Sequence, residues 1–124
     1  NTAADSLNAW PLRKHKVAAQ VLQHHTHLLG VQEALHSQVM DLAAAMPHFK
    51  HLGAGRDDGA QKGEYTALFY DTTRLEALQW QNFWLSETPD VPGSKSWDAA
   101  FTRIATWARF RDKKEGSIFY AFNT

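Results

Sequence analysis

Over about the first fifty residues the apolar positions fall three to four apart. The stretches that follow alternate in steps of two. The first spacing belongs to helices and the second to strands, so the chain must pack helices against sheet. Leu12, Val17, Val21, Leu22 and His25 mark one stripe, with Arg13, Lys14 and Lys16 outside it. Pro11 is compatible with a first helical turn, which predicts a helix over roughly residues 11 to 25. Leu28-Leu29-Gly30-Val31-Gln32 is too short for a helix and reads as a buried strand. Leu35, Val39, Leu42 and Met46 then share one face of a second helix, which Pro47 ends. Helix, strand, helix is the pattern of an α/β architecture with strands covered on both faces.

The second half changes character. His48 to Leu52 reads as a short strand, Tyr65 to Tyr70 as another and Arg74 to Leu85 as a longer one. Phe101 to Arg111 alternates, with Phe101, Arg103, Ala105, Trp107, Arg109 and Arg111 on one side. Asp112-Lys113-Lys114-Glu115-Gly116 has the composition of a hairpin connection, and Ser117 to Thr124 reads as a strand that stops mid-pattern. Two loops interrupt these strands. Residues 53–64 hold four glycines together with Arg56, Asp57, Asp58, Lys62 and Glu64, and residues 86–98 hold two prolines and a glycine. Residues 1–9, small and polar, also read as a loop.

Composition removes several classes of function. With 44% hydrophobic and 21% charged residues the chain supports a packed core. Thirteen basic and thirteen acidic residues cancel, so no net field advertises nucleic-acid binding. Cysteine is absent, which excludes disulfides, zinc–thiolate sites and thiol catalysis. It leaves cytoplasmic and secreted or periplasmic locations equally compatible. No apolar run is long enough to span a bilayer and no signal-peptide pattern is present.

Four groups of residues can carry chemistry. Glu33 follows the first strand directly, and strand C-terminal ends in α/β sheets are where ligands bind. A hard cation such as Mg²⁺ is commonly held by one or two carboxylates plus phosphate oxygens, so Glu33 is a candidate metal ligand; its structural alternative is a helix cap or a surface ion pair. In the loop 53–64 the glycines would let backbone amides approach an anion and Arg56 and Lys62 meet phosphate; the alternative is a solvated connection. Arg103 and Trp107, with Arg109 and Arg111, suggest a phosphate track beside an aromatic platform, or else an exposed sheet face with cross-strand charge pairs. His25 and His27 would share a face for a transition metal, but no third ligand is evident. Trp84 and Trp97 flank the proline-containing loop and are expected to line a cleft.

Taken together these stretches resemble the endonuclease/exonuclease/phosphatase family, of DNase I-like fold, and within it a bacterial branch. The likeness rests on Asn8-Ala9-Trp10 with Arg13, Leu29-Gly30-Val31-Gln32-Glu33-Ala34-Leu35 and Gly53-Ala54-Gly55-Arg56-Asp57-Asp58-Gly59. It continues in Gly63-Glu64-Tyr65, Phe83-Trp84-Leu85-Ser86-Glu87-Thr88-Pro89, Trp97-Asp98, Arg103-Ile104-Ala105-Thr106-Trp107-Ala108 and Phe122-Asn123-Thr124. The resemblance implies a four-layer α/β sandwich of mixed β-sheets with outer helices. It implies hydrolysis of a phosphoester, on nucleic acid, phospholipid or sugar phosphate, with Mg²⁺ or Mn²⁺. Glu33 matches the family's metal-binding glutamate and Arg103 a position that contacts phosphate. Arg56, Glu64, Trp107 and Asn123 are expected at the substrate.

The family's first strand and its C-terminal half are not among these residues. The resemblance therefore implies that residues 1–124 are a partial domain, with the general base and further metal contacts outside it. That piece is expected to be inactive alone. The rival expectations are a non-catalytic binding module, or a structural fragment that associates through its exposed sheet edge.

Overall fold

The computed structural model describes residues 8–124; the expected loop over residues 1–9 lies largely outside them. Helix α1 spans Trp10–Gln23, with Pro11 in its first turn. Strands β1 (Leu28–Gly30) and β2 (Ala34–Leu35) lead into α2 (His36–Ala45), and β3 (Phe49–Leu52), β4 (Glu64–Tyr65), β5 (Leu68–Asp71), β6 (Leu75–Trp84), β7 (Ile104–Asp112) and β8 (Ile118–Asn123) follow. Three sheets form, ordered β1-β5-β3, β2-β4 and β6-β7-β8, and every described pair is antiparallel. Among the described residues no helix is long and apolar enough to cross a membrane.

Side-chain alternation along β5 sets the layers. Phe69 points to one face, where Ala18 and Val21 of α1 and Val39, Leu42 and Met46 at α2 form the first core cluster with it. Leu68 and Tyr70 point to the other face and pack on Leu75, Ala108 and Phe110 of the β6-β7-β8 sheet. The order is helices, sheet, sheet. The two helices are tied across their exposed side by Asp41, which accepts from the Trp10 indole at 2.8 Å and from Lys14 at 3.0 Å.

Two expectations about strands need correction. Leu28–Gln32 is not a fully buried strand: β1 stops at Gly30 and is half-buried, because β5 is its one described partner in the sheet. Tyr65–Tyr70 is not one strand but two, β4 and β5. The break falls at Thr66 and Ala67, where the Ala67 carbonyl accepts from the Val31 amide and from the Asn123 side chain instead of a ladder partner. The long hairpin strands occur as expected. Their turn is fixed by Asp112, whose carboxylate takes a forked contact from Arg74 at 2.7–2.9 Å and the amides of Lys114 and Glu115. Gly116 closes that turn with φ +75°, a conformation that favours glycine.

Candidate active site

The C-terminal end of β1, the short β2–β4 pair, the start of β7 and the end of β8 meet at one end of the sandwich. A cleft of about 290 Å³ opens there. Its charged wall is Glu33, Arg56, Glu64 and Arg103, and Gln32, Tyr65, Thr66 and Thr124 complete the polar lining. Four of the six residues singled out from the sequence therefore come together, although they lie on three separate segments.

Glu33 stands where the chain turns from β1 into β2. Its backbone takes φ +54°, in the left-handed region that is sparsely populated by residues with a β-carbon. The turn is bracketed by Asn123, whose side-chain amide donates to the Val31 carbonyl at 2.9 Å and to the Ala67 carbonyl at 3.0 Å and accepts from the Gln32 amide. Asn123 is buried and lies outside the cleft lining; it connects β8 to the segment that presents Glu33.

Arg56 is placed with unusual redundancy. Its Nη1 lies 2.7 Å from a Glu64 carboxylate oxygen, its amide donates to the Glu64 carbonyl at 3.1 Å, and its carbonyl accepts the Trp84 indole N–H at 2.6 Å. The glycines around it allow backbone to pass close to backbone. A β-carbon on Gly55 would sit 2.2 Å from the Lys62 carbonyl oxygen, and one on Gly93 would sit 2.6 Å from the Asp57 carbonyl oxygen. This corrects the expectation of a backbone anion cradle. The amides of Gly55, Arg56, Asp57 and Gly59 donate to carbonyls inside the loop, and those of Ala60 and Lys62 donate to Asp58. These two amides hold the Asp58 carboxyl below the usual carboxylate range.

Tyr65 sits beneath this loop. Its hydroxyl donates to the Ala60 carbonyl at 2.7 Å and lies 3.0 Å from His36 Nδ1. Burial, and then the charge of Asp58, raise its pKa above the ordinary tyrosine value. Arg103 just precedes β7, is exposed, and has its guanidinium 5.9 Å from the centre of the Phe101 ring. Its carbonyl accepts from the Leu85 amide, which anchors the backbone while the side chain reaches the cleft.

The remaining expectations fall elsewhere. Trp107 lies outside the cleft lining, half-buried on the outer face of the second sheet, stacked on Phe122 and near Tyr120. Arg111 pairs with Glu76 at 3.0 Å on that same exposed face. Trp84 and Trp97 do not line a shared cleft: Trp84 is buried against the Arg56 loop, and Trp97 is 68% exposed. His27 pairs with Asp71 at 3.1 Å, at the far end of the sandwich. Among the described residues no group of three or more His, Asp or Glu is close enough to hold a metal unaided.

The Trp84–Arg56 link and the Asn123 bracket were missed by sequence reasoning. The Phe83-Trp84-Leu85 and Asn123-Thr124 stretches carried the only signal, and it gave no partner.

No family model and no curated protein matches the chain. Solved structures do. An endonuclease/exonuclease/phosphatase from Bacteroides vulgatus is 48% identical with a TM-score of 0.94, over 96% of this chain and 46% of its own. The family is the endonuclease/exonuclease/phosphatase family. A Bacteroides thetaiotaomicron mannosyl-6-phosphatase is 41% identical with a TM-score of 0.92, over 98% of this chain and 46% of its own. A D. rerio TDP2 in complex with a single-strand DNA product, at 14% identity and a TM-score of 0.69 over 95% of this chain and 41% of its own, shares the fold alone. The chain thus spans about half the length of the endonuclease/exonuclease/phosphatase structures it matches. The fold is the DNase I-like one of that phosphoesterase family.

Proposed function

We propose that residues 1–124 supply one wall of the active site of a divalent-metal-dependent phosphoester hydrolase, and that the substrate is a sugar phosphate. The observation that carries this reading is the convergence of Glu33, Glu64, Arg56 and Arg103 on a single cleft. The chemical name of the mannosyl-6-phosphatase relative supports the substrate class.

The donor set suits a hard cation. The cleft offers carboxylate oxygens and neither thiolate nor a closed cage, the arrangement in which Mg²⁺ or Mn²⁺ keeps water and takes substrate oxygens as its remaining ligands. Glu33 would hold it, and when bound the ion would polarise a phosphoryl oxygen and offset transition-state charge. The chain's own groups then divide the work. Arg103 and Arg56 donate to phosphate oxygens, where a guanidinium fork matches the geometry of the anion. Glu64 orients the Arg56 fork. The fixed turn at Glu33 presents its carboxylate without reorganisation, which is how positioned charge accelerates a phosphoryl transfer.

The test is hydrolysis of mannose 6-phosphate by the full-length protein, with and without chelator. Activity restored by Mg²⁺ or Mn²⁺ and reduced by at least about 100-fold in Glu33→Gln is the expected result. Full activity of Glu33→Gln would end the reading. The 124-residue chain alone is expected to be inactive in the same assay, since one wall does not complete the site.

A second reading has its own observation. Ile118, Tyr120 and Phe122 of β8 are 47%, 57% and 65% exposed on one sheet face, on the outermost of the described strands of that sheet. Such a surface favours self-association. Size-exclusion chromatography of this chain over a range of concentrations separates the two: a stable dilute monomer disfavours association.

A further inference from the structure

We propose that Arg56 makes the site selective for phosphomonoesters over phosphodiesters, a deepening that rests on the phosphoesterase reading above. Two guanidinium groups line the cleft, and the structure holds them in opposite ways. Arg103 is exposed, and its described side-chain contact is the Phe101 ring at 5.9 Å. Arg56 has a side chain only 19% exposed, and its carboxylate partner Glu64 also lines the cleft. Its backbone is clasped by Trp84 on one side and by the hydrogen bonds of the 53–64 loop on the other. A β-carbon built on Gly59 would lie 3.1 Å from the Trp84 ring and 3.2 Å from Pro92, and one built on Gly93 would lie 2.6 Å from the Asp57 carbonyl oxygen, so the loops 53–64 and 86–98 pack on each other beside that ring. An arginine held this firmly reads shape, whereas a mobile one supplies charge.

The two substrate classes differ where such a group acts. A phosphomonoester carries close to two negative charges at neutral pH and three terminal oxygens. A phosphodiester carries one charge and two terminal oxygens, and puts a second ester arm where the monoester has its third oxygen. A guanidinium has five N–H donors in a planar fork, and the 2.7 Å contact to Glu64 is made through Nη1. The same group can therefore serve a carboxylate on one edge and a phosphate oxygen on another. It favours an oxygen anion at the third position and meets there, in a diester, an uncharged ester oxygen that carries carbon and accepts poorly. Arg103, exposed and without a described carboxylate partner to fix its fork, contributes to both classes alike.

The experiment uses the full-length protein with p-nitrophenyl phosphate and bis(p-nitrophenyl) phosphate. Arg56→Ala is expected to lower kcat/KM on the monoester by about 100-fold and on the diester by less than about 3-fold, the size of one lost charge-assisted contact. Arg56→Lys keeps the charge and loses the fork, so its loss on the monoester is about 10-fold. Trp84→Phe removes the indole donor and keeps the ring; its smaller loss should fall on the same substrate.

Binding is read in parallel, by calorimetric titration of inorganic phosphate and dimethyl phosphate in the presence of chelator. Arg56→Ala should weaken phosphate by at least about tenfold and dimethyl phosphate by less than about 3-fold. Equal losses on both substrates, or a wild type without monoester preference, would overturn the proposal. If the wild type cleaves neither substrate, the phosphoesterase reading falls, and an unchanged phosphate affinity in folded Arg56→Ala and Arg56→Lys then overturns the role of Arg56 separately.

Discussion

Asn123 offers the sharpest test of how the site is built. Its side chain donates to the Val31 carbonyl, in the segment carrying Glu33, at 2.9 Å and to the Ala67 carbonyl, between β4 and β5, at 3.0 Å, in a buried setting. Replacement by alanine removes both, together with the bond accepted from the exposed Gln32 side chain. Each neutral bond is worth about 1 kcal/mol net, and a buried acceptor left without a donor costs about 1–3 kcal/mol more. The Ala67 carbonyl keeps the Val31 amide at 2.9 Å, so the uncompensated group is the Val31 carbonyl. The total for Asn123→Ala is about 3–5 kcal/mol.

Asn123→Asp keeps the volume and isolates the donor. At neutral pH it sets a carboxylate against two carbonyl oxygens, and its loss should be at least as large. The protonated form is the one that fits, so the carboxyl pKa rises above the unfolded value. The destabilisation therefore grows as pH rises past about 4 and shrinks on acidification. Urea unfolding of the full-length protein, read by tryptophan fluorescence, measures this. With an m-value of about 2 kcal/mol/M, the midpoint falls by about 1.5–2.5 M in Asn123→Ala. A cost below about 0.5 kcal/mol, or an aspartate variant more stable than the alanine one at pH 7, would refute the bracket.

Phe110 is fully buried between Tyr70 and Phe119, with ring centres 5.2 and 5.6 Å away, so Phe110→Ala should cost about 3–5 kcal/mol in the same unfolding assay. Gly55→Ala would force a β-carbon against the Lys62 carbonyl, and the displaced loop should carry Arg56 out of the cleft. Phosphate affinity by calorimetry should therefore fall while the unfolding midpoint changes less than in Phe110→Ala. The forked contact from Arg74 holds the Asp112 carboxyl far below its ordinary value. Its stabilising contribution is complete above the unfolded carboxylate pKa and is lost as pH falls through that value toward the folded one. Thermal melts at pH 7 and pH 3 should show a smaller acid-induced drop in Asp112→Asn than in the wild type.

The helices and long strands were legible in the chain because their signals are local. The Leu35, Val39, Leu42 and Met46 spacing with Pro47 behind it specifies α2, and alternation with a Gly116 turn specifies the β7–β8 hairpin. Glu33 and the Arg56–Glu64 loop were also visible, since charged residues beside strand ends and glycines stand out in any sequence of this kind. The split between β4 and β5 was not visible. It depends on Ala67 bonding to Val31 and Asn123, residues 36 and 56 positions away.

The role of the glycines is another matter that local pattern could not decide. A glycine permits close approach, but which group approaches is a property of the fold. At Gly55 and Gly93 it is a carbonyl of the protein itself and not a ligand. Trp84 likewise had the composition of a cleft-lining residue, and only the packing of the loop 86–98 on the loop 53–64 turned it inward to hold Arg56. The chain by itself determined its elements and which charged side chains were available, since periodicity and turn chemistry act over a few residues. Their convergence on one cleft was decided by tertiary structure, since it depends on hydrogen bonds and ring contacts between segments far apart in the sequence.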